Sequence, residues 1–599
     1  MKKIVRVLGV AVLAALIGFS FAACDNPAGT GGISEGGPTT NGGGGDPGGG
    51  PTPDPGPGAA AFTFASVAGG YMVTGFTGTQ TDIVIPAVHN GLPVVAIGPN
   101  AFQNRGLTSV VIPNSVTSIH DGNVHIAGSA FVFVGAFAGN QLQSVTIPDS
   151  VTYIGINAFL DNQLASITIP ASVLTIGYGA FANNELTNVT IPSSVTSIGY
   201  GHWFLGNVGA FQNNLLTSVY IPSGVTHISA LAFRDNQLES IIIPSNVIVI
   251  NGNAFADNPL TCVTIGMANI RFTMFDPNSL LSVINAPLTS VTILCSVRTI
   301  EHGAFAGNNL TSITIEYGVT TIGYGFFGSN VNIGAFHDNQ LTSVCIPDSV
   351  TSIGNNAFQN NALTTVRIPD TVTAIGNNAF SGNRLQSAYI GRGVVTINTN
   401  SFANNPQLYR VTIGMANIVS NMFINRGLTS VTLLEGVTTI ASSAFRNNEL
   451  TSIDIPNSVT SIASSAFANN QLSRVTIPNN VTSIGNNAFM ENQLADVIIG
   501  SSVVDIYSGV FMYNRLTSVV IPPSVRYIGS WAFAGNDLTR ITIGSGVDID
   551  HFWNDYTMGT HGRAFWSMYN SQNQGGGFRQ GGTFTFVPGT GPGTGWSGP

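Results

Sequence analysis

Apolar residues recur along most of the chain with a period of 22 residues. The unit at 444–465 reads AFRNNELTSIDIPNSVTSIASS, and its marker residue Phe445 returns every 22 residues up to Phe533. A period of this length indicates stacked coils, in which each unit buries its apolar face against its neighbours. The next unit has its apolar residues at Phe467, Leu472, Val475, Ile477, Val481 and Ile484.

The order of residues within that unit predicts two short extended segments. Val475-Thr476-Ile477 alternates with period two, so its two aliphatic side chains face one side and Thr476 the other. Pro478 has no N–H and ends the first segment. Val481 and Ile484 form a second apolar pair. The Ala488-Phe489 step is expected to place the ring inside, in one turn of α- or 3₁₀-helix.

An asparagine stands three residues after the marker phenylalanine in most units, from Asn140 to Asn536. Main-chain groups in a tight, water-free corner need hydrogen-bond partners. We therefore expect this asparagine column to be structural, with each buried amide serving the corner and stacking on its copy in the next coil. The alternative is a row of ligand-binding amides.

The repeat AFxxNxxLxxVxIPxxVxxIG resembles the BspA-like (Treponema-type) leucine-rich repeat over roughly 102–545, in about 20 copies. Many relatives have Cys at the position of this asparagine. The resemblance implies a right-handed repeat solenoid of the leucine-rich-repeat type. It would be β-dominated, with short strands, short 3₁₀ or helical turns and about 20 coils of 22 residues. It also implies a bacterial surface protein.

The N-terminus has the features of an export signal. Lys2, Lys3 and Arg6 precede an apolar run at 7–17, and Ala22-Ala23 stands directly before Cys24. This order is similar to a bacterial lipobox, with Phe21 in place of the usual Leu. It predicts a lipoprotein signal peptide at 1–23 and lipidation at Cys24. An ordinary secretory peptide followed by an incidental cysteine is the alternative.

The rest of the chain divides by composition. Residues 24–60 are rich in Gly and Pro and are predicted to be a disordered tether, spanning roughly 30–36 Å. We expect an N-terminal cap at 61–101, the solenoid at 102–545, and a C-terminal cap with a loose Gly-rich tail at 546–599. Terminal repeats are usually atypical because they cover the open ends of the core.

Two surfaces are candidates for binding. The first is the outward column of the first extended segment, where Thr is usual but Tyr220, Arg367 and Tyr389 replace it; Tyr and Arg are favoured contact residues. The second consists of insertions between the Ile-Gly and Ala-Phe steps, which place extra residues on one side of a solenoid. Their aromatic candidates are Trp203, Phe204, Phe326, Phe327 and Trp553. Neutral drift and local packing are the alternatives for the two sets.

Charge and motifs narrow the chemistry. A mature chain that begins at Cys24 has 16 Arg, no Lys and 28 acidic residues, a formal net charge of −12, so no basic patch for nucleic acid is expected. The three remaining cysteines, Cys262, Cys295 and Cys345, are expected to fill ordinary repeat positions. No catalytic, metal-binding or phosphate-binding motif is recognised, so neither an enzyme nor a cofactor is predicted. Interrupted threonine columns disfavour ice binding.

The N-terminal segment predicts a lipid-anchored protein of the cell envelope, and the resemblance of the repeats implies display at the outer membrane or cell surface. Its relatives are implicated in adhesion, coaggregation and host interaction. The expected partners are proteins or glycans on host or neighbouring cells, with membrane contact through the lipid anchor only. A structural envelope or spacer protein without a specific ligand is the alternative.

Overall fold

A computed structural model describes residues 62–122, 124–127, 130–133, 135–200, 208–271, 274–275, 282–284, 287–324, 333–545, 547–549, 582–586 and 596–597. These residues belong to one compact unit, Ala60–Pro599. They form strands and turns, and none of them lies in a helix. The unit is a β-solenoid of about 20 turns of roughly 22 residues, which confirms the predicted fold class.

A typical coil contains a long strand and a short strand joined by turns, and some coils have only the short strand. In the long strand Arg474–Thr476, Val475 faces the core and Thr476 faces solvent, as the alternation predicts. The chain turns after Pro478, where the Val481 N–H donates to the Pro478 carbonyl over 3.1 Å. Equivalent residues of successive coils pair in parallel, so Val475 aligns with Val497.

The long strands pair coil to coil in several parallel segments, linked in places by single bridges. They are Asp82–Val84, Ser109–Val111, Ser240–Ile243, Cys262–Ile265, Ser290–Ile293, Ser312–Ile315, Thr365–Ile368, Ser387–Ile390, Arg410–Ile413, Ser430–Leu433, Arg474–Thr476, Asp496–Ile498, Ser518–Ile521 and Arg540–Ile543.

The short strands form a second set of parallel ladders through their isoleucines. They are Ser118–Ile119, Tyr153–Ile154, Thr175–Gly177, Ser197–Tyr200, His227–Ile228, Val249–Ile250, Asn269–Ile270, Thr299–Glu301, Thr321–Tyr324, Ser352–Ile353, Ala374–Ile375, Thr396–Ile397, Asn417–Ile418, Thr439–Ile440, Ser461–Ile462, Ser483–Ile484, Asp505–Ile506, Tyr527–Ile528 and Asp548–Ile549.

Irregular strands cover the ends of the array. At the N-terminal end, Phe62–Val67 pairs antiparallel with Gly70–Phe76, which pairs in parallel with Leu92–Ile97. The hairpin partner Val88–His89 pairs antiparallel with the last of these strands. At the C-terminal end, Gly582–Phe586 pairs antiparallel with Arg540–Ile543 and with Trp596–Ser597. Antiparallel pairing here interrupts the coil-to-coil stacking that would otherwise continue.

The marker phenylalanines form the centre of the core. Neighbouring rings lie nearly parallel, with centroids 5.0 Å apart for Phe102 and Phe137 and 5.5 Å apart for Phe511 and Phe533. Phe62, in the strand Phe62–Val67, packs on Phe102, the first ring of the column, with centroids 6.1 Å apart. Parallel rings at this spacing add attraction to the burial of apolar area.

The phenylalanine corner is a set of turns and not the helical turn that the sequence analysis allowed. Residues two before and two after the marker usually have left-handed backbone conformation, such as Asn487 (φ 58°) and Glu491 (φ 52°) around Phe489. A helix cannot continue through such residues. Each side of the ring has a single turn, in which the Ala488 and Met490 N–H groups donate to the Gly485 and Asn487 carbonyls three residues earlier. These bonds have the 3₁₀ spacing but do not run on into a helix.

The irregular coil between Phe275 and Phe305 keeps the same stacking. The two rings lie 5.1 Å apart at an interplanar angle of 6°, and the Phe275 N–H donates to the Ala304 carbonyl over 2.8 Å. The long strand Ser290–Ile293 of this coil pairs in register with both of its neighbours. The extra residues therefore do not break the column.

Candidate functional site

The outward residues of the long strands form one exposed surface, here called the long-strand face. Its column runs through the position between the buried Val and Ile of each strand and contains Thr264, Thr292, Thr314, Thr412 and Thr432 among its ordinary members. Thr is the commonest residue of this column, but exposed apolar residues also occupy it, among them Val84, Val111, Tyr220, Ile242, Ile498 and Val520. The Tyr and Arg residues that replace Thr are the candidates for a specific contact.

Two of the predicted residues on this face lie side by side. Arg367 and Tyr389 align in adjacent parallel strands, and the guanidinium carbon of Arg367 lies 4.4 Å from the centroid of the Tyr389 ring. The Tyr389 hydroxyl donates to Oδ1 of Asp370 over 3.1 Å. That same oxygen accepts the Arg392 main-chain N–H over 3.0 Å. The Tyr389 ring is therefore fixed by its main chain at one end and by Asp370 at the other, and its face is in contact with the guanidinium of Arg367.

Tyr220 occupies the same column but lies far from this pair. It is 73% exposed, and the next outward residue, Ile242, is also exposed. Six coils separate the unit of Tyr220 from that of Arg367, which corresponds to roughly 29 Å at a strand spacing of about 4.8 Å. The structure thus brings together Arg367 and Tyr389 and leaves Tyr220 as a separate contact point.

Sequence reasoning missed the residues that enlarge this pair into a patch. Arg410 lies one strand beyond Tyr389, aligned with Ser387, and its guanidinium carbon is 5.8 Å from the ring centroid of Tyr409. Both Tyr409 and Arg410 are exposed. We define the arginine patch as Arg367, Tyr389, Arg392, Tyr409 and Arg410.

A local charge count would have found the patch. Residues 363–433 contain five arginines and a single acidic residue, Asp370, although the chain from Cys24 onwards carries a net charge of −12. The net charge of the whole chain hides this local surplus of arginine. The expectation that the chain has no basic patch for nucleic acid stays a prediction.

The arginines of the patch differ from an arginine elsewhere on the long-strand face. Arg474 stands at the same strand position as Arg410, and its Nη2 lies 2.7 Å from Oδ2 of Asp496 in the next coil. Among the described residues, no carboxylate oxygen lies within 4.0 Å of the side-chain nitrogens of Arg367, Arg392 or Arg410. Within the described part of the chain these three arginines are therefore not ion-paired, and Asp370, which contacts Tyr389 and the Arg392 main chain, is the carboxylate beside them.

The aromatic candidates of the insertions lie outside the described residues. These candidates are Trp203, Phe204, Phe326, Phe327 and Trp553, and the proposed lipidation site Cys24 is outside as well. Described residues do show where the insertions leave the coil, directly after the short strands Ser197–Tyr200 and Thr321–Tyr324. The hairpin of Val124–Ala127 and Ala130–Phe133 follows a short strand in the same way. The insertions thus share one corner of the coil, as predicted.

Glycines mark where each insertion rejoins the array. A Cβ atom on Gly135, Gly209 or Gly334 would overlap the main-chain carbonyl of the equivalent position in the next coil. Each of these glycines directly precedes the Ala-Phe step of its coil. The close approach of two main chains requires glycine there.

The remaining candidates for chemistry are the cysteines and groups of possible metal ligands. Cys262, Cys295 and Cys345 are exposed and form no disulfide among the described residues. In the described ranges, no group of three or more His, Cys, Asp or Glu residues could hold a metal ion. Nor does any helix in those ranges have the length and apolarity to cross a membrane.

The repeat pattern and its β-solenoid define the chain as a leucine-rich repeat protein. A family model described as BspA type leucine rich repeat region matches residues 92–123, 132–208, 207–334, 329–451 and 438–552. These matches cover more than half of the 599 residues, and the chain belongs to the BspA-type leucine-rich repeat family. A comparison with curated proteins gives no match.

Solved structures similar to this chain share only low sequence identity with it. A leucine-rich repeat protein from Bacteroides ovatus is 20% identical, with 80% of this chain and 90% of that one covered and a TM-score of 0.26. A leucine rich cell surface protein from Faecalibacterium prausnitzii is 21% identical, with 85% and 97% covered and a TM-score of 0.21. The pneumococcal vaccine antigen PcpA is 15% identical, with 82% and 97% covered and a TM-score of 0.21.

Proposed function

We propose that the protein is a lipid-anchored surface protein that uses the long-strand face of its solenoid to bind proteins of host or neighbouring cells. The observation that carries this proposal is the Arg367–Tyr389 pair on the long-strand face, in which Asp370 holds the tyrosine. Tyr and Arg dominate the binding energy of many protein interfaces. A pair already held in place loses less side-chain entropy when a partner binds.

The solenoid suits such a role because it is a rigid scaffold with a repeated surface. The phenylalanine column and the parallel strands fix the position of each outward residue relative to its neighbours. A side chain can change on this face without loss of core packing, because its neighbours along the strand face inwards. Membership of the BspA-type leucine-rich repeat family supports a protein-binding function.

The proposed anchor is a lipid on Cys24. Cleavage after Ala23 would place this cysteine at the new N-terminus, where bacterial lipoproteins carry their acyl chains. Buried acyl chains contribute about 0.8 kcal/mol per CH₂, and two or more chains give stable anchoring. The Gly- and Pro-rich segment up to residue 60 would then separate the solenoid from the membrane.

The anchor is tested by partitioning and labelling. Wild type should enter the detergent phase and incorporate labelled fatty acid, whereas Cys24→Ser should do neither. Protease added to intact cells should cleave the wild-type solenoid if it is displayed outside. If the chain is found unacylated and free in the medium, the protein is secreted and the lipid-anchor proposal is wrong.

The binding face is tested by capture from partner cells whose surface proteins are labelled. Tyr389→Thr should lose capture, because it restores the commonest residue of the column and removes the aromatic contact. Ile498→Thr removes an exposed apolar residue of the same column outside the arginine patch, and it should bind like wild type. If both variants capture partner proteins equally well, the interface lies elsewhere on the protein. If only glycans are captured, the partner is a glycan and not a protein.

A further inference from the structure

We propose that the arginine patch binds an acidic, extended segment of the protein partner. This inference rests on the proposed protein-binding function and adds the chemistry of the ligand. It assigns the main contacts to Arg367 and Arg410, each of which lies beside a tyrosine ring. Carboxylates of the partner would accept hydrogen bonds from the two guanidinium groups.

The first argument is charge complementarity. The three arginines of the patch and the adjoining Asp370 carry a formal charge of +2, whereas the chain from Cys24 onwards carries −12. An acidic partner would be repelled by most of the molecule and attracted to this one region. Such an arrangement selects the binding position and raises the association rate.

The second argument is that the positive charge is not used internally. Among the described residues, the chain forms ion pairs at Arg234 and Arg474 but not at Arg367 or Arg410. Arg474 and Arg410 occupy the same position in their strands, and the next strand offers Asp496 to the former and Ser430 to the latter. Arg474 is ion-paired and Arg410 is not because of the residue opposite each in the next strand, since both arginines occupy the same position in the fold.

The third argument is geometry. Tyr389 is held by Asp370, and its ring lies 4.4 Å from the guanidinium carbon of Arg367, so the guanidinium has a fixed neighbour before a ligand arrives. A planar guanidinium in this position still has N–H groups for a bidentate bond to a carboxylate. The ring also shields one side of the guanidinium from water, which strengthens contacts on the other side.

The spacing of the two arginines specifies the segment. Arg367 and Arg410 lie two strands apart and two residues out of line, which places their Cα atoms about 12 Å apart. An extended chain rises about 3.3 Å per residue, and its alternate side chains face the same way. Acidic residues at positions i and i+4 of one extended segment lie about 13 Å apart. Their carboxylates would therefore reach both guanidinium groups.

The experiment measures binding of a labelled oligoglutamate peptide of about ten residues to the full chain, with oligoglutamine of equal length as the uncharged control. Wild type should bind oligoglutamate, and binding should weaken as salt rises because screened surface charges attract less. Arg367→Thr or Arg410→Ser should each weaken binding about five- to tenfold. The double variant should bind oligoglutamate no better than oligoglutamine.

Two further variants keep the test specific. Arg474→Ser removes a paired arginine from the same face and should leave binding unchanged. Arg367→Lys keeps the charge but loses the planar, stacked donor, so its affinity should lie between wild type and Arg367→Thr. All variants change exposed side chains, and equal melting curves would show that they fold.

Three results would overturn the inference. One is oligoglutamate binding that is absent, or equal in wild type and the double variant. Another is arginine-dependent binding of a sulfated polysaccharide without binding of oligoglutamate. The third is a captured partner protein that binds the double variant as well as wild type, which would leave the proposed protein-binding function intact. Failure to capture any protein would count against that function and not against the peptide result.

Discussion

The side-chain amide of Asn470 donates a 2.9 Å hydrogen bond to the main-chain carbonyl of Phe445, one coil earlier. The same Nδ2 atom donates to the carbonyl of Phe467 in its own coil over 3.1 Å. Its Oδ1 atom accepts the N–H of Leu450 over 3.1 Å. One buried side chain thus satisfies main-chain groups of two coils and ties the coils together.

This arrangement corrects one detail of the sequence prediction. The asparagine column is structural, as expected, but each amide bonds to main-chain groups and not to its copy in the next coil. The coil of Phe423 provides a natural exception, because Arg426 stands in place of the asparagine. There the Leu408 N–H donates to the Asn405 carbonyl of its own coil over 3.1 Å. A missing amide therefore has to be replaced by another acceptor.

Asn470→Ala should destabilise the corner by about 1–3 kcal/mol, since it leaves buried main-chain groups without partners. The effect should appear first in hydrogen exchange of the Leu450 amide, which loses its acceptor. Asn470→Asp keeps that acceptor but loses the donor to Phe445, so Leu450 should remain better protected than in the alanine variant. Thr476→Ala, on the exposed face, is the control, and equal exchange in Asn470→Ala and this control would refute the bridging role.

Gly209→Ala should disrupt the junction between two coils. The added Cβ overlaps the main-chain carbonyl of Leu231, and main chain cannot move aside as a flexible side chain can. We expect a cost of about 3 kcal/mol and faster exchange of the Phe211 amide, which donates to Ala232 in the next coil.

Gly427→Ala provides the matched control for that change. Gly427 has φ 68°, and no heavy atom lies within 4 Å of an added Cβ, so only conformational strain of about 1 kcal/mol is expected. If the two alanine variants cost the same and leave the Phe211 amide equally protected, the close approach at Gly209 has no energetic role.

Glu491→Asn should stabilise the solenoid. Glu491 has left-handed backbone conformation (φ 52°), which Asn tolerates better than Glu. The equivalent residue Asn447 donates its side-chain amide to Asn425 of the preceding coil over 2.7 Å. We expect a gain of about 0.5–1 kcal/mol in local unfolding free energy, measured by hydrogen exchange.

Glu449→Asn is the control for the loss of charge. Glu449 is exposed and is not among the residues with positive φ. Like Glu491→Asn, the Glu449→Asn change replaces one carboxylate by an amide, but it does so at a residue without left-handed backbone conformation. It should therefore change stability by less than about 0.5 kcal/mol. Equal gains in both variants would assign the effect to charge and not to backbone conformation.

The core was predictable because its residues are constrained by every neighbouring coil. A 22-residue step aligns Val475 with Val497 in the long strands and Ile484 with Ile506 in the short strands. The left-handed positions beside the phenylalanines were not predicted, because Asn, Asp, Ser, Gly and even Glu share them. Their common property is a backbone angle, which residue type indicates only weakly.

The candidate site was predictable only in part, because outward positions are not constrained by packing. Arg367 and Tyr389 were identified one by one as departures from Thr, but their contact depends on register. Tyr409 and Arg410 lie outside the column that the sequence analysis followed. The 22-residue period gives the position of each residue within its coil. It does not indicate which outward side chains of neighbouring coils come into contact to form a patch.

Acid should weaken the first pairing of long strands, between Asp82–Val84 and Ser109–Val111. Oδ1 of Asp82 accepts hydrogen bonds from Ser109 Oγ over 2.7 Å and from Thr108 Oγ1 over 2.9 Å. These bonds, that from Ser109 first, hold the pKa of the Asp82 carboxyl below its ordinary value of 3.8. A lowered folded-state pKa stabilises the pairing above the unfolded-state pKa, and this stabilisation is lost as pH falls through the folded-state value.

The measurement is hydrogen exchange of the Ser109–Val111 segment at pH 5 and below pH 3.8, corrected for intrinsic rates. Wild type should lose protection there as the carboxylate is protonated. Asp82→Asn has an amide that does not titrate in this range, so its protection should depend much less on pH. A loss of protection that is the same in Asp82→Asn and wild type would mean that another group controls the acid response of this edge.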